Sequence, residues 1–470
     1  MSSRDSRLNF RSTSDGWRGK LAKDFTFDNV ELIGKAIANY LLIDIKKKDI
    51  VIGYDTRFMS KEFAYFLGSK MQEWGIDTHI ISRPSPTPLL AFAVVSGGHP
   101  LGLNITASHN PPFDNGIKIR VDYGGAPTNN ITEKIESYFG HDAPNSVAKG
   151  TLTVTNPIDN YVSKIRSMIS FDLIKESRAR IIVDTMHGTT VDILSRVFNG
   201  TELQINYLHN DFDPYFGGIN PEPKYESTSE LQRLVKEDNY DFGIAHDGDG
   251  DRIVASLPTD GYLSPHDVSA ILVLYLSKYK KLPGKVIGSS TLGRRVKRVC
   301  DHLKIIFEVM PVGFKNATEG MLTSEVLLAA EENGGVGLGF YLPERDTTLA
   351  ASLLVEAQCL VGLKKLHDEV ALIAGKSGFC RYNHTPSCDR DLIFQKVVET
   401  ANHFNYMDIS SVNDLDGIKI IYKNGDWLSI RYSGTEDILR IYCESDTREE
   451  AVKIRDFALS KLIKIEEQIK

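Results

Sequence analysis

Three short runs of β-branched residues, each opening on a charged residue and closing on a small polar turn, recur along the chain at domain-sized intervals. They are residues 49–57 (DIVIGYDTR), 180–188 (RIIVDTMHG) and 285–293 (KVIGSSTLG). A continuous Val/Ile run without polar alternation suits a strand covered on both faces, the situation of parallel sheets flanked by helices. Helix-period stretches alternate with the runs, so the pattern predicts α/β layers built on mostly parallel sheets. The interval is far longer than the ~20–50 residues of a solenoid repeat. The chain therefore reads as three related α/β units, not as an array.

Turn residues gather at 143–150 (APNSVAKG), 258–261 (PTDG) and 375–378 (GKSG). They divide the sequence into α/β domains over 1–150, 151–258 and 259–375, and a remainder over 376–470. That remainder differs. Short strand candidates at 418–422, 427–432 and 439–444 precede a charged helix from Arg448 onward, which predicts a smaller α+β domain. Residues 346–363 (DTTLAASLLVEAQCLVGL) are apolar on most faces yet carry Glu356, which predicts a buried core helix rather than a membrane span.

Composition narrows the function classes. With 55 Lys+Arg against 62 Asp+Glu, the net charge is −7. No basic field covers the molecule, so nucleic acid is not an expected partner, although a local cationic cleft for a small anion is compatible with that balance. The N-terminal stretch MSSRDSRLNFRSTSDGWRG has no apolar core of a signal peptide, and no apolar run approaches the ~20 residues of a bilayer span. The five cysteines form no CxxC pair and no even framework, and read as reduced thiols. The expectation is a cytoplasmic protein with no membrane partner.

Four motifs carry chemistry. In HDGDGDR, Asp247, Asp249 and Asp251 alternate with glycines. In an extended segment their side chains share a face, and the resulting self-repulsion is what a hard divalent cation relieves. An EF-hand loop also begins D-x-D-x-D, but its sixth position would be Arg252 instead of Gly and its twelfth Pro258 instead of Glu. In NITASHNPPFDNGIKIR, Ser108 and His109 are adjacent. A hydrolase triad is not expected there, since neighbouring side chains point apart and the G-x-S-x-G elbow is missing. Ser108 could instead carry a covalent phosphate, a natural fourth ligand for the metal, and Lys118 downstream could act as acid or base. RYSGTEDILR offers Arg431, Ser433 and Thr435 as a phosphate cradle, with an N-capped helix at Ser433 as the plainer reading. In AEENGGVGLG the glycines lack the order of a dinucleotide fingerprint, while Glu331 and Asn333 suit sugar hydroxyls.

Taken in order, these motifs resemble the α-D-phosphohexomutase superfamily, which includes phosphoglucomutase, phosphomannomutase and phosphoglucosamine mutase. TASHNP is similar to its phosphoserine loop, DGDGDR to its magnesium loop, AEENGG to its sugar loop and RYSGTE to its phosphate loop; SDGWRG, GYDTR, NPEP and PVGFK add further matches. The resemblance implies four domains around one cleft, three with related α/β cores. It implies Ser108 as phosphoryl donor and Lys118, Arg18 and His109 as further catalytic candidates. Ser108, Asp247, Asp249 and Asp251 would bind Mg²⁺. Arg252, Lys315, Glu331 and Asn333 would hold the sugar, and Arg431, Ser433, Gly434 and Thr435 the phosphate that does not react. Two departures bear on sugar preference: Asn333 stands where the family usually has serine, and Ala330 where it has glycine.

The implied reaction interconverts hexose 1-phosphate and hexose 6-phosphate through a hexose 1,6-bisphosphate. Glucose is the expected sugar, with mannose or glucosamine as alternatives, in a monomer or weak dimer acting on small-molecule hexose phosphates. A metal-dependent phosphatase and a non-catalytic sugar-phosphate sensor are the readings from other classes.

Overall fold

The structure, a computed structural model, describes residues 11–13, 15–144, 148–433 and 438–469. Each β-branched run is an inner strand with a parallel neighbour on both sides, central to the parallel part of its sheet: Asp49–Tyr54, Arg180–Asp184 and Lys285–Ser289. Beyond its first residue each is buried along its length, as a strand covered on both faces must be.

The three sheets share one kernel. In the first, Asp49–Tyr54 lies parallel to Asp77–Ile81 on one side and Leu101–Ile105 on the other, and Asp114–Val121 returns antiparallel to the latter. In the second, Arg180–Asp184 lies between Gln204–Leu208 and Phe242–His246, with Ile253–Leu257 returning antiparallel. In the third, Lys285–Ser289 lies between Phe307–Met310 and Val326–Ala330, with Val336–Leu338 returning. Helices make the parallel crossovers, among them Ser60–Glu73, Thr87–Gly97, Ser229–Glu237, Arg294–Leu303 and Phe314–Thr323. The first sheet is widened to seven strands by Arg11–Thr13 and Gly16–Lys20 at one edge and Leu152–Thr155 at the other.

One feature departs from three independent units: the second and third share a continuous core, to which Ile244, Ile271, Leu328 and Leu353 all belong. At its centre runs Thr347–Leu360, the helix expected at 346–363. Glu356 on it is fully buried, but accepts hydrogen bonds from the Ser170 amide, the Tyr275 hydroxyl and the Lys280 ammonium (2.7 Å). A buried carboxylate is tolerated because it is paired and bonded. The described helices include none long and apolar enough to cross a membrane.

The C-terminal part is a five-stranded antiparallel sheet in the order Gly378–His384, Leu439–Ser445, Trp427–Tyr432, Ile418–Tyr422 and Ile409–Asn413, backed by the helix Arg448–Ile469. Polar contacts dock it on the third sheet's loops. Asp416 accepts from the Ser290 hydroxyl (3.0 Å) and the Val312 amide (2.8 Å), and Arg294 pairs with Asp426 (2.9 Å).

Candidate active site

The kernel explains where the chemistry sits. The turn joining the third parallel strand to its antiparallel neighbour is the Ser108 loop in the first sheet, the Asp247–Asp251 loop in the second and the Glu331–Asn333 loop in the third. Each leaves the carboxyl end of a parallel strand, the end at which open α/β sheets bind ligands.

Ser108 is 1% exposed and adopts a left-handed backbone with φ of 55°. That conformation is costly for a residue with a Cβ, so the surroundings must impose it. Arg57 supplies most of the constraint. Its guanidinium, itself buried, donates to the carbonyls of Ser108 (2.6 Å), Asn110 (2.8 Å), Pro111 (2.7 Å) and Asp114 (3.0 Å), and lies 3.1 Å from Asp55. The Ser108 amide donates to Thr106 Oγ1 (2.8 Å), and its hydroxyl reaches Asp247 Oδ2 at 3.1 Å.

The expectation that Ser108 and His109 side chains diverge is corrected here. The left-handed turn folds them together, with His109 Nδ1 3.4 Å from Ser108 Oγ. Burial, reinforced by Arg252, Arg18, Arg381 and Lys118, holds the His109 imidazole well below its ordinary pKa and therefore neutral.

The acidic loop is corrected in the same way. Its carboxylates converge through a tight turn, not along an extended strand. The Gly250 amide closes on the Asp247 carbonyl (3.0 Å), and Gly250 takes φ of 66° where a Cβ would meet Pro86 and Thr190 at 2.8 Å. All three aspartates are fully buried, with one ligand oxygen from each lying within 4.8 Å of the others. Burial and the charges of Asp251 and Asp249 push the Asp247 carboxyl well above the carboxylate range. Burial also acts on Asp249 and Asp251, but Lys118 offsets it at both and Arg345 at Asp251, so these two fall below that range. Among the described residues, Asp249 Oδ1 and Asp251 Oδ1 find no hydrogen-bond partner. Three oxygen donors, two orphaned buried oxygens and the Ser108 hydroxyl at 3.1 Å from Asp247 form a set that fits a hard divalent cation such as Mg²⁺.

Lys118 is buried beneath this loop, donating to Asp249 (2.6 Å) and Asp251 (2.7 Å). Burial alone would lower its pKa, yet Asp249, Asp251 and Asp15 outweigh it and leave the ammonium favoured.

A cleft of about 780 Å³ opens over these loops, lined among others by Arg18, Ser108, His109, Arg252, Glu331 and Asn333. Arg18 donates to Asn110 (2.8 Å), and Arg252 pairs with Glu222 (3.0 Å). Glu331 accepts from the Gly313 amide (3.0 Å), while Asn333 Oδ1 accepts from the Gly335 amide (3.0 Å) and so shapes its own turn.

Other expected residues lie elsewhere. Lys315 is not in the cleft lining; its amine donates to Asn129 (2.6 Å). Arg431 is held by Asp416 (3.0 Å) beside the lining, Ser433 directly follows the end of its strand at Tyr432, and Gly434 and Thr435 lie outside the described residues.

The cleft also recruits residues to which sequence reasoning gave no role: Asp15, Glu222, Arg345, Arg381 and Arg440. Arg345 pairs with Asp251 (2.9 Å), and burial does not prevent Asp251 and Glu344 from raising its pKa further. The dense charge of PERD just before a buried helix was the available signal for Arg345. Arg440 lay inside a motif already singled out, and directly opposite Arg431 across the strand pair.

Four family models match in succession: phosphoglucomutase/phosphomannomutase α/β/α domain I over residues 11–145, domain II over 159–260, domain III over 264–374 and the C-terminal domain over 392–461. A Methanobrevibacter smithii protein provisionally named phosphoglucosamine mutase is 28% identical over 457 residues, covering 96% of this chain and 98% of its own. A Thermococcus kodakarensis phosphoglucomutase/phosphomannomutase is 27% identical over 452 residues, covering 95% and 97%. Among solved structures, a Thermus thermophilus protein provisionally named phosphomannomutase superposes with a TM-score of 0.85 at 28% identity, covering 97% of this chain and 99% of its own. An Aspergillus fumigatus N-acetylphosphoglucosamine mutase, solved with GlcNAc-6P and magnesium, shares the fold at a TM-score of 0.54 and 14% identity, covering 98% and 95%.

Proposed function

Because the chain belongs to the phosphoglucomutase/phosphomannomutase family and is an isomerase of that type, we propose that it interconverts hexose 1-phosphate and hexose 6-phosphate through a phosphorylated Ser108. The observation that carries this reading is the buried Ser108 hydroxyl, 3.1 Å from Asp247 where the loops of two sheets meet at the cleft. A phosphoryl group on that oxygen would be passed to the free hydroxyl of a bound hexose monophosphate, giving a hexose 1,6-bisphosphate. After the bisphosphate turns end for end, Ser108 would take back the other phosphoryl group.

Asp247, Asp249, Asp251 and Ser108 Oγ would hold Mg²⁺, whose charge would stabilise the transferring phosphoryl group when bound. The chain's own groups do the rest. Arg57 fixes the donor loop. The neutral His109 and the ammonium of Lys118 are the acid–base candidates closest to the donor and its carboxylates. Arg18 and Arg252, with Arg381 and Arg440 opposite, supply the cationic walls a sugar bearing phosphate at either end requires. Arg431, Ser433, Gly434 and Thr435 are proposed to join when substrate draws the C-terminal sheet over the cleft, which also excludes water, and Lys315, on the helix Phe314–Thr323, by turning from Asn129 toward the sugar.

Glucose phosphates are the first reading for the sugar, supported by the Glu331–Glu332 loop. Glucosamine phosphates are the second, supported by the name of the Methanobrevibacter smithii relative and by Asp15, Glu222, Glu331 and Glu332 in the lining, carboxylates that could pair with a C2 ammonium. Coupled assays on glucose, mannose and glucosamine 1-phosphates, with Mg²⁺ and a trace of hexose 1,6-bisphosphate, test both. Free phosphate without isomerisation would establish a phosphatase; saturable binding without turnover, a sensor.

A further inference from the structure

We propose that the first sheet carries a second metal site, for a divalent transition ion such as Zn²⁺, made by Asp49, His79 and His99. Asp49 and His99 lie at the leading ends of neighbouring parallel strands, away from the Ser108 loop, and His79 reaches them from the middle of its strand. Asp49 opens the central strand Asp49–Tyr54, which is roughly 17 Å long at ~3.3 Å per residue. His79 comes from the neighbouring strand Asp77–Ile81, and His99 precedes Leu101–Ile105 on the other side.

The two imidazoles converge on one carboxylate. His79 Nε2 lies 3.0 Å from Asp49 Oδ2, His99 Nδ1 contacts Asp49 Oδ1, and the rings sit 4.8 Å apart. One ligand atom from each residue lies within 4.8 Å of the others, and an ion at ~2.0–2.2 Å from each donor needs only a slight opening of that cluster.

Two neighbouring features pre-set the rings. Thr153, directly across the strand pair from His79, contacts its Nδ1 at 2.7 Å, so the other nitrogen is turned toward Asp49. An outer oxygen that accepts from the second ring nitrogen is the usual support of a metal histidine, and the Thr153 hydroxyl oxygen is placed to serve as one. His99 Nε2 rests over Gly97, where a Cβ would come within 2.3 Å, so the ring position depends on that residue having no side chain.

The donor set separates this site from the all-oxygen one. Two imidazoles and a carboxylate favour Zn²⁺, Co²⁺ or Ni²⁺ over Mg²⁺, and their partial exposure (28% for His79, 14% for His99, 35% for Asp49) gives the ion an entry path and open positions for water. Bound there, the ion would tie three strands together at the base of the sheet that carries the donor loop.

The test is a Co²⁺ titration of chelator-treated protein in excess Mg²⁺, followed by visible absorption, with Zn²⁺ added as competitor. One equivalent of Co²⁺ should bind with the absorption of an imidazole-ligated ion, and Zn²⁺ should displace it. His79→Ala combined with His99→Ala should weaken that binding at least about a hundredfold. Thr153→Val, which leaves all three ligands in place, should weaken it about tenfold, with circular dichroism confirming the fold. No saturable Co²⁺ binding to the wild-type protein, or superimposable titrations for wild type and either variant, overturns the site.

Discussion

Replacing Arg57 with lysine tests how much of the donor's geometry is enforced by one buried guanidinium. Arg57 makes four hydrogen bonds of 2.6–3.0 Å to carbonyls of residues 108, 110, 111 and 114, and contacts Asp55 at 3.1 Å. A lysine keeps the charge but carries three protons on one atom, and a single point cannot occupy both arms of the fork. Satisfying Asp55 and two carbonyls with its three protons still leaves two carbonyls without that donor, at ~1–3 kcal/mol each for a buried polar group. The expected loss is about 2–5 kcal/mol, and the loop can relieve part of it by relaxing. Relaxation carries its own penalty, because Ser108 then leaves its left-handed conformation and its contact with Asp247. A displacement of about 1 Å at a reacting atom can cost about a hundredfold in rate. Urea unfolding and steady-state kinetics together separate the two effects: either stability falls by at least ~2 kcal/mol, or kcat falls by at least about thirtyfold. A variant within ~0.5 kcal/mol of wild type in stability and within about twofold in kcat would refute the reasoning.

Other perturbations act on separate parts. Ser108→Ala should abolish turnover and the phosphorylated species seen by intact mass, at a stability cost of only ~1 kcal/mol for one hydrogen bond; phosphate mapping only to other residues would refute the donor assignment. Asp249→Asn removes one of three carboxylates and should weaken Mg²⁺ at least about tenfold by calorimetry, and unchanged affinity would reduce the loop to a turn. Asn333→Ser should retain catalysis and shift kcat/KM ratios among sugars by about tenfold or less, the worth of one neutral hydrogen bond. An equal loss on every sugar would assign Asn333 to its bond with the Gly335 amide alone. Burial raises Asp346, which caps the helix Thr347–Leu360, to about 6, above the ~3.9 of an unfolded chain. The folded protein therefore binds the extra proton between those values, a stabilisation complete below about pH 4 and lost as pH rises through 6, amounting to ~2–3 kcal/mol. Asp346→Asn should remove that slope from urea unfolding measured at intervals across this range; parallel curves for the two proteins would contradict it.

What the sequence discloses and what it hides divide along the range of the interactions involved. The central strands were legible because burial on both faces leaves only one residue type at consecutive positions. The helix around Glu356 was legible because a lone acid among apolar residues cannot face a bilayer cheaply. That Ser108 and the aspartates belong to loops of interest was legible through local spacing, and the structure brings them within 3.1 Å. The side-chain directions at both loops were misjudged, because each depends on a backbone dihedral: φ of 55° at Ser108 and 66° at Gly250. The shared core of the second and third sheets left no mark, since an apolar helix face does not name its partner. Arg345, Arg381 and Arg440 escaped for a related reason. An arginine in sequence is a surface residue until a distant carboxylate or cleft claims it.

The repeated kernel accounts for how one chain brings together the Ser108 loop, the aspartate loop and the Glu331–Asn333 loop, the proposed donor, cation cage and sugar loop. In each sheet the third parallel strand ends beside the central one and turns back through a short antiparallel return, so its loop must project from the carboxyl edge. Three copies facing one cleft deliver three loops whose chemistry can differ while their supports do not. The C-terminal sheet is built otherwise, antiparallel throughout and joined to the third by the Asp416 and Arg294 contacts, and this difference has a use. The proposed reaction, in which the sugar turns end for end, would need one fixed donor, one fixed phosphate clamp and a gap between them that can widen. At about 780 Å³ the cleft falls toward the upper part of the ~300–1,000 Å³ typical of ligand pockets, which leaves room for that rotation. Asp416 sits at the joint: it holds Arg431 at 3.0 Å while accepting from Ser290 and Val312 in the loops that leave the third sheet. If Arg431 is the phosphate clamp proposed above, a phosphate drawn to it would compete with the same carboxylate that docks the sheet, so binding there and movement of the joint would be coupled through one side chain.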